Sequence, residues 1–72
     1  SPGAELALAG MLTDTRPTHR VSALWVVKAL RCVHAGTIVR QLADHDGETM
    51  VRARAKEVLE TLGIKESQKV FA

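Results

Sequence analysis

Apolar residues recur along this chain at intervals of three and four, and short polar breaks divide them into four stretches. In the first, Leu8, Met11 and Leu12 share one face with Leu6 at its edge, which predicts a helix over residues 4–13. Asp14-Thr15-Arg16-Pro17 ends it, because proline cannot continue a helix interior but suits the first turn of the next. The second stretch predicts a helix over residues 17–33, with Val21, Ala23, Leu24, Val27, Leu30 and Val33 as its main stripe. Trp25, Val26, Ala29 and Cys32 widen that stripe until most of the circumference is apolar. Such a helix is expected to be buried on several sides, Trp25 included.

His34-Ala35-Gly36 reads as a short connection. A third helix over residues 35–43 then carries Ile38, Val39 and Leu42 inward. Asp44-His45-Asp46-Gly47 breaks the chain again, and Asp46 is the expected N-cap of a fourth helix over residues 47–62. Its inward stripe is Met50, Val51, Ala55, Val58, Leu59 and Leu62, and Gly63 stands where a left-handed closing residue belongs. Residues 4–63 therefore read as one all-α domain, with 1–3 and 64–72 as flanking tails. The latter tail, with Val70 and Phe71, could also begin one more short helix.

The second and fourth stretches repeat each other. Asp14, Arg20, Ala23, Val27 and Leu30 recur 32 residues later as Asp46, Arg52, Ala55, Leu59 and Leu62. A period of this size marks arrays in which each unit cannot bury its apolar face alone and stacks on a neighbour. The small Ala23 and Ala55 suit a close approach of helices, and the leucines and valines fill the seam.

The stretch from Asp46 to Gly63 resembles a helix of the HEAT repeat, in its short bacterial form. It has an acidic turn, the pair Val51-Arg52, Ala55 three positions on, and Leu59 and Leu62 closing the helix. Arg20-Val21-Ser22-Ala23-Leu24 resembles a looser copy, with His19 in place of Val51 and Pro17 near the helix start. The resemblance implies an α-solenoid fragment of about two helical hairpins, part or end cap of a larger protein. It makes Asp14, Arg20, Ala23, Asp46, Arg52 and Ala55 scaffold positions, the arginines reaching the acidic turn of a neighbouring unit. It also implies a module for protein–protein interaction or scaffolding, with the second helices of the units lining a concave side. That places Thr37, Arg40, Gln41 and Asp44 outward on the third helix as a partner-binding row, with Trp25 as a further candidate anchor.

Composition narrows the alternatives. The chain has 72 residues, 46% of them hydrophobic and only 3% aromatic, which fits close-packed helices better than a sandwich or barrel. A core this small is marginal, and a single cysteine, Cys32, leaves no internal disulfide to support it. Packing has to serve instead, within the chain, against the rest of a longer one, or by self-association. His19, His34 and His45 are scattered without thiolate or carboxylate spacing, so no metal is expected, and no cofactor motif is present. Asp44, His45 and Asp46 read as turn and cap residues, Cys32 reads as a small core residue, and no enzyme is expected.

Net charge is +2. Arg40, Arg52, Arg54 and Lys56 form a basic strip, but Glu57 and Glu60 interrupt it. Residues 37–64 can nevertheless be read as a helix-turn-helix with Arg52, Arg54 and Lys56 early in the recognition helix, so a DNA- or RNA-binding domain is the alternative function. No run approaches the ~18 apolar residues of a membrane span. Ser1-Pro2-Gly3 does not read as a signal peptide, and an intracellular, cytoplasmic setting is the expectation.

Overall fold

A computed structural model describes residues 2–64. Within them the chain forms four α-helices: α1 (Pro2–Leu12), α2 (Pro17–Leu30), α3 (Gly36–His45) and α4 (Thr49–Leu62), with a single 3-10 turn, Val33–Ala35, between α2 and α3. The all-α expectation holds for these residues. Residues 65–72, whose sequence allows a further short helix, lie outside the described residues. No described helix is long and apolar enough to cross a membrane.

The helices pair as hairpins. α1 packs on α2 and α3 on α4, and the hairpins meet through α2 against α4 and α1 against α3. One core runs through the four helices. Leu8 and Leu12 enter from α1, Ala23, Leu24 and Val27 from α2, Val39, Leu42 and Ala43 from α3, and Val51, Ala55, Val58 and Leu59 from α4. Ala23 and Ala55 are fully buried, as expected of the small residues at a helix seam. Replacing either by a larger side chain would force the helices apart.

The 32-residue period reappears in three dimensions. α2 and α4 are both 14 residues long and start and stop 32 positions apart. Both end in the same left-handed closure. Arg31 donates its N–H to the Lys28 carbonyl and Cys32 to Val27, and Gly63 and Ile64 do the same to Glu60 and Leu59. Gly63 has φ 71°, as its position predicts, but its counterpart Arg31 has φ 51°. That conformation costs an L-residue roughly 1–2 kcal/mol.

Several boundaries and orientations differ from the sequence reading. α2 stops at Leu30, three residues short of the expected 33, because Arg31 turns left-handed and the chain tightens into the 3-10 turn. α1 starts at Pro2 and Ile64 packs against the core, so helix and core extend past the expected 4–63 limits. Asp46 is not the N-cap of α4. Glu48 holds that place, without a side-chain cap bond, while Asp46, two residues earlier, accepts the Glu48 N–H on its carboxylate. Met50, expected inward, is 65% exposed, and Met11 is also exposed. Most informative is α2, expected to be buried nearly all round. Only Ala23, Leu24 and Val27 are buried, while Trp25, Val26 and Leu30 on the helix and Val33 beyond it face solvent.

Candidate interaction surface

The two acidic turns are built alike. The Asp14 carboxylate accepts the Arg16 N–H at 2.8 Å, and the Asp46 carboxylate accepts the Glu48 N–H at 2.9 Å. Six residues on, Arg20 donates Nη1 to the Asp14 carbonyl at 2.8 Å, and Arg52 donates Nη1 to the Asp46 carbonyl. Each arginine thus latches its own turn to the start of its own helix. Arg20 also donates to the Thr15 carbonyl, and Arg52 to the Thr49 hydroxyl.

Arg20 does one thing more. Its Nε lies 2.8 Å from Asp46 Oδ1 and its Nη2 donates to Oδ2 at 3.1 Å, a two-pronged contact between the hairpins. The Asp46 side chain is only 5% exposed there. Removing one partner from so buried a pair leaves an uncompensated charge. The expectation that the arginines reach a neighbouring acidic turn therefore holds for Arg20, whereas Arg52 bonds within its own unit.

Asp14 lacks such a visitor. Arg16 takes both of its oxygens, at 3.0 Å each, and His19 Nδ1 lies 3.8 Å away. These bonds, the Arg16 side chain first and its backbone N–H second, hold the Asp14 carboxyl well below the usual aspartate range.

The residues of the row expected to meet a partner share one helix. Thr37, Arg40, Gln41 and Asp44 lie at helical spacing on α3, with Thr37, Gln41 and Asp44 exposed and Arg40 partly buried. Trp25 is not beside them. It is 57% exposed on α2, where the packing expected of it against a neighbouring helix is slight. Lys28 Nζ sits 5.3 Å from its ring centre and pairs with Glu57 Oε2 at 3.1 Å, so the indole caps an ionic bridge from α2 to α4. Lys28 is the first cause of the depressed Glu57 carboxyl, through its hydrogen bond.

The basic strip is largely engaged. Arg54 Nη1 pairs with Glu57 Oε1 at 3.2 Å and Arg52 holds its turn, leaving Lys56 exposed among glutamates. Cys32 is partly buried beside the core, against a small apolar cavity of about 70 Å³ that His34 also borders. Among the described residues no group of three histidine, cysteine or acidic side chains is placed to hold a metal.

What sequence reasoning missed is the outer face of α2. His19, Ser22, Val26 and Leu30, at spacings of three and four, point away from α4 and are all exposed. The signal was present in the excess of apolar residues on that helix, but it read as burial. No family model, no curated protein and no solved structure matches the chain.

Proposed function

We propose that the chain is a protein-interaction or scaffold module, a short α-solenoid piece of two HEAT-like hairpins, working as part of a larger assembly. The observation that carries this reading is the inter-hairpin contact of Arg20 with Asp46, added to two acidic turns that share the same aspartate-to-backbone and arginine-to-carbonyl bonds. A chain that repeats its turn chemistry and links one copy to the next is suited to present an extended surface. The scaffold positions are Asp14, Arg20, Ala23, Asp46, Arg52 and Ala55. The presenting surface is the α3 row of Thr37, Arg40, Gln41 and Asp44, and the partner is another protein or further units of a longer chain. Photo-reactive residues at Thr37 and Gln41 test the surface in cells. Specific adducts there, absent when the probe stands at Lys56, support it. Equal adducts at all three positions, or none, remove it.

The nucleic-acid alternative gains no specific support, since Arg52 and Arg54 are committed to internal contacts. A random DNA duplex that binds at low salt and releases steeply at moderate salt would revive it.

A further inference from the structure

The repeat allows one face of the molecule to be read from another. On α4, Val51, Arg54 and Val58 border gaps shared with α2, and Val51 and Val58 are 0% and 3% exposed; Leu62 continues their row at helical spacing. Opposite, α2 presents the row Val21, Leu24 and Lys28. The two rows enclose the gap bounded by Leu24, Lys28, Arg54 and Val58, with Lys28 bridging to Glu57. Moving each row by 32 residues gives the two outer faces of the stack. The face of α2 turned away from α4 is His19, Ser22, Val26 and Leu30, and the face of α4 turned away from α2 is Ala53, Lys56 and Glu60. The first bears apolar side chains in solvent, and the second is nearly all polar. The stack is thus open at α2 and sealed at α4.

Resting on the module reading above, we infer that the outer face of α2 docks a helix of α2's own kind. Its occupant carries an apolar row spaced like Val21 and Leu24 to cover Val26 and Leu30. It also carries an arginine placed like Arg20, whose guanidinium takes the Asp14 carboxylate as Arg20 takes that of Asp46. Charge favours this: Asp14 stays anionic on the same corner of its turn, and the Arg16 that now holds it is itself 64% exposed and so displaceable. A second copy of the chain cannot supply such a helix through α2, because its Leu24 is already buried against its own core. Nor can it do so through α4, whose outer row offers Lys56 and Glu60.

Two extended proteins test this. In one, residues 1–35 are placed ahead of Ala4 of the chain, so that a duplicate hairpin precedes α1 as the first hairpin precedes α3. In the other, residues 32–72 follow Gly63, so that a duplicate hairpin faces α4. The front extension is expected to melt in one transition, raised by roughly 5 °C or more. Asp14→Ala should then lower its Tm more than it lowers that of the original chain. The rear extension is expected to gain nothing. A front extension that melts in two steps, or equal stabilisation of both, overturns the inference. So does a dimer of the original chain that Val26→Asp and Leu30→Asp dissolve in sedimentation, since a second copy would then be the occupant. Should the front extension fail while photo-adducts at Thr37 and Gln41 persist, only this inference falls and the interaction module stands.

Discussion

Val58 is 3% exposed, and Val26, its counterpart in the first hairpin, is 37% exposed; Leu62 is partly buried and Leu30 is 68% exposed. The residue types match, the helices have equal length and the turns before them are built alike, so local sequence does not explain the difference. Position does. The second hairpin has the first on its flank, and the first has nothing there among the described residues. The converse holds for Leu24, buried where its counterpart Lys56 is exposed. There the apolar residue stands on the covered face and the charged one on the exposed face.

The contrast can be broken most sharply by placing a charge at the paired valines. Val58→Asp buries an unpaired carboxylate in the seam and is expected to unfold the chain, a loss of several kcal/mol or about the whole stability of so small a domain. Val26→Asp is expected to change stability by less than about 0.5 kcal/mol. Urea melts followed by circular dichroism compare the two. Equal losses would mean that the outer face of α2 is already covered.

The arginines come next. Arg20→Ala removes the partner of a nearly buried carboxylate together with two carbonyl bonds, and is expected to cost about 3 kcal/mol. Arg52→Ala removes only bonds inside its own turn and is expected to cost about 1 kcal/mol. The same melts measure both, and a reversed order would contradict the inter-hairpin role of Arg20.

The helix closures give a smaller effect of opposite sign. Arg31 adopts the left-handed conformation that Gly63 adopts freely, so Arg31→Gly is expected to raise stability by about 1 kcal/mol, and Gly63→Ala to lower it by a similar amount. Thermal melts should move in opposite directions for the pair.

The smallest effect is the acid limb. Asp14 and Glu57 have folded-state carboxyls held below their ordinary values, chiefly by hydrogen bonds from Arg16 and Lys28. Their contribution is therefore complete above the ordinary carboxylate range and is lost as pH falls below about 4. Both groups are solvent-screened, so the slope is shallow. Asp14→Asn should flatten it further, measured as Tm against pH from 2 to 6.

Much of this architecture was legible in the order of residues. Four amphipathic periods announced four helices, Ala23 and Ala55 marked the seam, Gly63 marked a helix end, and the fixed offset announced a repeated turn. What was not legible has three physical causes. Arg31 ends α2 in a conformation that residue type does not advertise. Asp46 is a good N-cap by composition, yet both acidic turns set the aspartate two residues ahead of the cap position, where its carboxylate accepts the N–H of Glu48 as that of Asp14 accepts the N–H of Arg16. Trp25, Val26 and Leu30 have the chemistry of core residues, and no pattern in a single chain says which side of a broadly apolar helix its neighbours leave in solvent. The α3 row was legible as one face of a helix, because spacing alone determines it. Trp25 was not, because its place depends on how α2 meets α4.

A double-mutant cycle between Arg20 and Asp46, using Arg20→Met and Asp46→Asn in reversible urea unfolding, tests the link between hairpins most directly. A coupling energy of about 1 kcal/mol or more is expected, because each side chain loses its main partner when the other is changed. Additive losses, agreeing to within about 0.3 kcal/mol, would show that the two hairpins are not joined through this pair.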